Sequence, residues 1–290
     1  MIDPALEEAL RYALGSALKR TRRLAGGDIN DAFEVELMSG VRVFLKTNSS
    51  APASMFPAEA HGLEWLRSAH ALRIPEVLAV SNGYEREPCF LVLEFLEPGR
   101  RRSDFDAQLG RGLAQLHRCG ASRFGLDRDN FIGSLPQRNS ANDSWAEFFW
   151  SERLEPQLSR AVAAGQATSR LRAGFERLEG KLKQLVGPDE PIARLHGDLW
   201  GGNLHVDEQG TACLIDPAAY GGHREVDLAM MRLFGGFNEG VFRAYHEAWP
   251  LSPGSAERIA LYQLYPLMVH VNLFGGGYVE SVERNLARYV

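Results

Sequence analysis

Lysine is scarce in this chain. Four lysines stand against 28 arginines, and Lys46 is the only one between Lys19 and Lys181. A site in the first half that needs an ammonium group therefore has one candidate. Cysteine is scarcer still. Cys89, Cys119 and Cys213 are too few and too far apart for a disulfide framework or a zinc site, and they read as small buried hydrophobes in a reducing compartment. No apolar run is long enough to cross a bilayer, because Gln263, His270 and Asn272 break the longest stretches, and the start MIDPALEEAL lacks the basic head and apolar core of a signal peptide. The expectation is a cytoplasmic protein with no membrane partner. A net charge of −5 and a pI near 5.9 argue equally against nucleic acid as the main partner. Solenoid repeats and low-complexity tracts are missing as well.

What remains is an ordinary globular composition: 290 residues, 45% of them hydrophobic, enough to fill the cores of two lobes. The informative stretch is Leu195 to Pro217, LHGDLWGGNLHVDEQGTACLIDP. Leu204 and Val206 form one arm of a hairpin, Asp207 to Gly210 its turn, and Ala212 to Ile215 the other arm. A hairpin returns its ends to one place, so Asn203 and Asp216 are expected to face the same spot. Two oxygen donors there suit Mg²⁺, a hard cation held by one or two carboxylates and substrate phosphates. Asp198 precedes Asn203 by five residues, the spacing at which phosphoryl-transfer enzymes place a base that accepts a hydroxyl proton and an Asn that binds metal. His196, packed after Leu195, is expected to pin the loop backbone.

Pro4 to Arg20 reads as an opening helix with Leu6, Leu10, Leu14 and Leu18 along one side. Gly26, Gly27, Asp28, Ile29 and Asn30 then lead into a β-hairpin that turns at Ser39-Gly40 and ends at Lys46. Adjacent glycines before a strand either make a simple turn or let backbone N–H groups approach phosphates. A strand-end lysine either is solvated or grips those phosphates. Pro57 to Ala69 reads as a helix, and Glu59 either pairs with Lys46 or complements the dipole of the first turn.

Cys89 to Leu93 suits a buried strand, and the Pro98-Gly99 break after it marks the best boundary in the chain. Glu94, Phe95 and Leu96 form the hinge whose backbone is expected to meet adenine. Ser103 to His117 follows as a helix with Ser103 and Asp106 as a capping box. Cys119 to Trp145 reads as a long loop, and Glu152 to Leu185 as a helical region with a wet basic face. The rest, from Arg224 to Val290, is helical. Asp227 either bonds the catalytic loop from below or merely occupies a first turn.

With these residues in view, the chain resembles the fructosamine kinases, also called ketosamine kinases, of bacterial type. That family lies within the aminoglycoside-phosphotransferase-like branch of the protein-kinase-like fold. The motifs are HGDLWGGN at 196–203, DPAAYGGHREVDLAM at 216–230, FIGSLPQ at 131–137 and LYPLMVHVNLFGGG at 264–277, and the match runs over nearly the whole chain. The resemblance implies Asp198 as catalytic base, Asn203 and Asp216 as Mg²⁺ ligands, Lys46 with Glu59 as the phosphate-orienting pair, and Gly26 to Asn30 as the phosphate loop. Some eukaryotic members carry a redox-active Cys in that loop; Asp28 stands there in this chain, so a disulfide switch is not expected.

The expected fold is α+β and bilobal, with a small β-rich lobe over 1–96, a larger helical lobe over 97–290, and ATP between them. The expected activity is ATP-dependent phosphorylation of a sugar hydroxyl on a ketoamine, free or protein-bound. The rivals are a kinase for an aminoglycoside or choline, an inactive nucleotide-binding module, and a metal-dependent hydrolase. None of Lys46, Asp198, Asn203 or Asp216 is missing, against the inactive module, and no second His or Cys ligand lies near His196, against the hydrolase. Arg258 to Val279 carries no carboxylate, so as an acceptor-pocket wall it suits a neutral, hydroxyl-rich ligand better than a polycation. Trp200, His270 and Asn272 are the candidates for touching the sugar, with a satisfied core histidine as the competing reading of His270.

Overall fold

The structure, a computed structural model, describes residues 2–24, 29–81, 84 and 87–290. Of the expected phosphate loop, Gly26, Gly27 and Asp28 lie outside the described residues.

Five antiparallel strands form the first lobe, in the order β1-β2-β3-β5-β4: β1 Leu18–Arg23, β2 Asp31–Leu37, β3 Arg42–Thr47, β4 Val77–Val80 and β5 Phe90–Glu94. The β2–β3 hairpin forms as expected, with Gly40 at φ 87 in its turn. Helix α1 (Pro4–Leu14) is shorter than the apolar spacing predicts, since Gly15 takes a left-handed φ of 64 and stops it. Leu18 to Arg20 consequently enters β1 instead of continuing the helix. That strand reads LKRTRR, an almost wholly exposed charged edge whose basic residues pair with carboxylates on β2, Lys19 with Glu36 at 2.6 Å and Arg22 with Glu34. Leu6 and Leu10 of α1 close one face of the sheet over Val35, Val43, Leu45 and Val92.

Helix α2 (Met55–Arg67) covers the other face, and its core does not stop at the lobe boundary. Phe56 and Leu63 of α2 and Leu91 and Leu93 of β5 share one cluster with Leu109 and Leu113 of α3 (Phe105–Arg118), and with Leu199, Leu214 and Leu228. Each such fully buried leucine stabilises the arrangement by about 2 kcal/mol, so the helix carrying Glu59 is seated on the segment carrying Asp198. The capping box expected at α3 does not form. The helix begins after Asp104, which accepts from Gln108, while Asp106 is taken by Asn238 at 3.0 Å.

The stretch from Cys119 to Trp145 is less irregular than its composition suggests, because β6 (Asn130–Ile132) and β7 (Leu135–Gln137) pair within it around Gly133 at φ 58. The expected helical region after it is segmented into α4 (Trp145–Phe148), a wide π turn at Phe149–Leu154, α5 (Glu155–Ala163), α6 (Ser169–Glu179) and α7 (Leu182–Leu185). Thr168 caps α6 by accepting from the Leu171 N–H at 2.9 Å, which breaks the run after Gly165.

Two short sheets then frame the central stretch. Strand β8 (Ala193–Leu195) pairs with β11 (Tyr220–Gly222), and β9 (Leu204–Val206) with β10 (Ala212–Leu214). Helices α8 (Glu225–Phe234), α9 (Glu239–Ala248), α10 (Ser255–Tyr262), α11 (Leu264–Phe274) and α12 (Val279–Leu286) complete the second lobe around a large apolar core. Among the described residues no helix is long and apolar enough to cross a membrane. Of the cysteines only Cys213 is buried; Cys119 is exposed and Cys89 intermediate, which corrects the expectation for those two.

Candidate active site

The loop between β8 and β9 is fixed from below before any side chain reaches the cleft. Asp227, in the first turn of α8, accepts from the His196 N–H at 2.8 Å and the Gly197 N–H at 2.9 Å, so both readings of that residue hold at once. His117 approaches the same carboxylate at 3.2 Å and meets the Tyr245 hydroxyl at 2.8 Å on its other side. Burial works against the Asp227 charge, yet the hydrogen bond from His117 and those from the loop N–H groups outweigh it and hold the carboxyl below its usual range. His196 pins backbone as expected. Burial keeps its imidazole neutral, with Nε2 donating to the Ile215 carbonyl at 2.9 Å and Nδ1 accepting from the Asp198 N–H at 3.3 Å.

Gly197 adopts φ 82, and a Cβ there would lie 2.1 Å from the Ala218 carbonyl oxygen. Gly197→Ala is accordingly expected to push the loop away from the Asp216 segment. Left-handed strain alone costs about 1–2 kcal/mol before the clash is added, so both the thermal midpoint and any activity should fall; a variant with wild-type midpoint and rate would show that the loop tolerates displacement.

One amide closes the site. Asn203 Nδ2 donates to the Asp198 carbonyl at 2.8 Å, to Asp198 Oδ2 at 2.9 Å and, more weakly, to the Asp216 carbonyl at 3.3 Å. The hairpin between β9 and β10 does bring its two ends together, and it leaves Asn203 Oδ1 with no hydrogen bond among the described residues. Asp216 sits at φ 54, a left-handed conformation that Asp tolerates better than most residues and that costs on the order of 1–3 kcal/mol. Its Oδ1 lies 3.0 Å from Lys46 Nζ, and Lys46 also reaches Glu59 Oε1 at 2.8 Å. Burial alone disfavours the Lys46 ammonium, but Asp216 and Glu59 more than offset that and raise its pKa above the ordinary value.

Asp198 is half-buried at the base of the cleft, and desolvation by the atoms around it pushes its carboxyl up to about 7 against the opposing hydrogen bond from Asn203, with Asp216 and Asp227 adding like-charge repulsion. A carboxylate poised near neutrality is a usable proton acceptor, whereas one at the ordinary value of about 3.9 is a weak one.

Other expected residues fall around this centre. Asn48 Nδ2 holds the Ile29 carbonyl at 2.9 Å and Asn30 Oδ1 at 3.1 Å at the entry to β2. In the hinge, the Glu94 side chain is committed to the Glu76 N–H and to Arg73, Phe95 lies under the Arg42 guanidinium, and the Gly99 N–H reaches the Val206 carbonyl at 2.9 Å. Arg73 was not foreseen: it bridges Glu94 at 3.3 Å to Asp207 at 2.6 Å, tying the hinge to the hairpin turn. An arginine ahead of Ile-Pro gives no signal of that.

Trp200 is 41% exposed on a loop braced by the Gly201 N–H on the Gly235 carbonyl at 3.1 Å. His270 donates through Nδ1 to the Pro266 carbonyl at 2.8 Å and stacks on Phe234 at 4.4 Å, with Tyr278 beside it. Asn272 is committed to Gln157, whose carbonyl it meets at 2.9 Å and whose Oε1 at 2.7 Å. Lys46, Glu59, Asp198, Asn203 and Asp216 thus form one linked set, to which neither His270 nor Asn272 makes a hydrogen bond. Nor does Arg258 to Val279 form one wall: Leu264 to Val269 is buried in the core, and the exposed surface of the segment begins beyond it.

The family model for fructosamine kinase matches residues 3–290. This chain belongs to the fructosamine kinase family. A Synechocystis sp. protein named "Probable ketoamine kinase" is 40% identical over 276 residues, covering 93% of this chain and 90% of that one. The protein named protein-ribulosamine 3-kinase, chloroplastic, of Arabidopsis thaliana is 33% identical and covers 96% of this chain and 85% of its own. Among solved structures, a fructosamine-3-kinase-like protein of Thermobifida fusca superposes with a TM-score of 0.88 at 34% identity, over 98% of this chain and 97% of that one. A choline kinase of Streptococcus pneumoniae shares the fold at a TM-score of 0.64 and 18% identity. The bilobal, protein-kinase-like α+β architecture is therefore that of this fructosamine kinase family member.

Proposed function

We propose that this fructosamine kinase family member transfers the γ-phosphoryl group of ATP to a sugar hydroxyl of a ketoamine, the adduct left when an amine is glycated. The observation that carries the proposal is the linked set of Lys46, Glu59, Asp198, Asn203 and Asp216 in a chain of this family. ATP would be held between the lobe 1–96 and the lobe 97–290, with the backbone of Glu94 to Leu96 serving its adenine and the segment Gly26 to Asn30 serving its phosphates. Lys46, oriented by Glu59, steadies the phosphates. Asp198 accepts the proton of the attacking hydroxyl, and its elevated proton affinity supports that role.

The donor set fits magnesium. Asn203 offers an uncommitted Oδ1 because its Nδ2 is fully used, and the Asp216 carboxylate, 40% exposed, faces outward from a strained backbone. Magnesium, when bound, neutralises charge on the phosphate oxygens. What the protein does is position: the Asn203 amide locks Asp198 and the Asp216 backbone together, so base and carboxylate keep their separation. For phosphoryl transfer through a loose transition state, such positioning supplies most of the rate.

Ketoamines are favoured over other alcohols by the relatives' names and by the missing carboxylates in the stretch from His270 to Tyr278. Trp200 and His270 are the residues assigned to the acceptor side, whereas the Asn272 nitrogen is taken by Gln157 and its oxygen is buried. The test is ATP consumption by purified protein against ribulosyl-lysine, fructosyl-lysine, kanamycin and choline. A ketoamine should exceed kanamycin in kcat/KM by roughly 10² or more. Preference for kanamycin or choline over every ketoamine would overturn the substrate reading.

A further inference from the structure

Behind the Asp216 segment runs a buried polar chain that the proposed chemistry does not use. It starts at Arg153, which is fully buried between the rings of Phe148 at 4.6 Å and Tyr220 at 3.9 Å. Among the described residues Arg153 has no carboxylate within ion-pair distance. Its Nη1 donates to the Arg138 carbonyl at 2.6 Å and its Nη2 to Asn139 Oδ1 at 2.8 Å. Asn139 Nδ2 donates to Asn130 Oδ1 at 3.0 Å, and Asn130 Nδ2 to the Ala219 carbonyl at 2.8 Å. Gln137 Nε2 is shared between Asn130 Oδ1 at 2.8 Å and the Ala218 carbonyl at 3.1 Å, while Tyr265 donates to Gln137 Oε1 at 2.7 Å.

The direction of this chain is forced. A guanidinium only donates, so Asn139 must turn its oxygen to Arg153 and its nitrogen to Asn130, and each later amide follows. Two side-chain N–H groups are thereby delivered to the carbonyls two and three residues beyond Asp216. Ala218 in turn gives its own N–H to the His196 carbonyl at 3.0 Å, so the point being held joins the Asp216 segment to the loop of Asp198. Burying a cation this way is costly, and apolar packing would stabilise a core at least as well. Orientation is the property that such packing would not supply.

We propose that Gln137 and Asn130, oriented by Arg153, are positioning residues for Asp216: they hold Ala218 and Ala219 so that the Asp216 carboxylate is presented from its left-handed backbone. The inference rests on the reading of Asp216 as a magnesium ligand. Its test is Gln137→Met in the full chain, which keeps the volume and removes the donors. Magnesium dependence is read by titrating a fluorescent ATP analogue with and without the metal, beside kcat, KM and thermal midpoint. The magnesium-dependent gain in affinity should shrink about fivefold or more and kcat should fall about tenfold, the scale of a lost buried hydrogen bond, in protein still folded at the assay temperature. Tyr265→Phe, which leaves both donors in place, should stay within about twofold on both readouts. A Gln137→Met protein of lowered midpoint but unchanged magnesium dependence and kcat would assign the network to stability alone and overturn the proposal. Should that variant not fold, Asn130→Ser, which withdraws the donor from Ala219, is read by the same criteria. If the wild-type protein shows no magnesium-dependent nucleotide binding, the reading of Asp216 itself fails.

Discussion

Asp198→Asn is expected to lower kcat by a factor of about 10²–10⁴, the range of general-base catalysis, while leaving Mg·ATP affinity close to that of the wild type. The asparagine keeps the shape and can still accept from Asn203 Nδ2, now 2.9 Å from Asp198 Oδ2, so the loop geometry survives while the proton acceptor is lost. In the wild type the same group sets the acid limb of the rate profile. With its carboxyl raised to about 7 by desolvation, activity should drop about tenfold per pH unit below that value as the base protonates. Stability should respond in the opposite sense. The unfolded carboxyl titrates near 3.9, so between about pH 4 and pH 7 the folded protein holds the extra proton, and stability from this group is lost as pH rises through that window. The variant removes the cost of ionising a desolvated carboxyl, so its thermal midpoint should exceed the wild type's, by more near pH 8 than near pH 5. A variant with near wild-type kcat would remove Asp198 from the chemistry; one that is inactive and also less stable above pH 7 would show that the carboxylate is a structural anchor.

Local signals in the sequence reached the centre of this site and faded outward. The β9–β10 hairpin was legible because Asp207-Glu208-Gln209-Gly210 is turn chemistry between two short apolar arms, and a hairpin obliges Asn203 and Asp216 to meet. Lys46 was legible through scarcity. By contrast, β1 carries no hydrophobic alternation: it is an edge strand made of charges, held by Glu34 and Glu36 on its neighbour, and such pairing is visible only once the register is known. The α3 capping box failed because Asn238, 132 residues away, captures Asp106, a tertiary contact that no local pattern encodes. Arg73, Asn48 and the amides behind Ala218 were hidden for the same reason, since each acts through a backbone carbonyl or a carboxylate distant in sequence. The FIGSLPQ segment stood out by resemblance, but that Gln137 points at Ala218 follows only from the pairing of β6 with β7.

Asp216→Asn separates charge from conformation and should have the largest effect of any single change. Asparagine tolerates φ 54 about as well as aspartate, whereas alanine would add left-handed strain, so Asn is the clean test and Ala the harsher one. Lys46 would keep Glu59 at 2.8 Å, so its position should persist while the negative charge facing the phosphates is gone. Loss of the main anionic donor is expected to cost several kcal/mol of transition-state charge stabilisation, on the order of 10³-fold or more in kcat, and to erase most of the magnesium-dependent part of nucleotide affinity. Metal-free nucleotide binding should change little, or tighten slightly, because Lys46 loses a competitor for the phosphates. The contrast with Asp198→Asn carries the assignment: both variants lose turnover, but only the Asp216 variant loses the response to magnesium. Equal losses of magnesium-dependent affinity in the two would mean that the carboxylates share one function, and the division between proton acceptor and metal ligand would have to be abandoned.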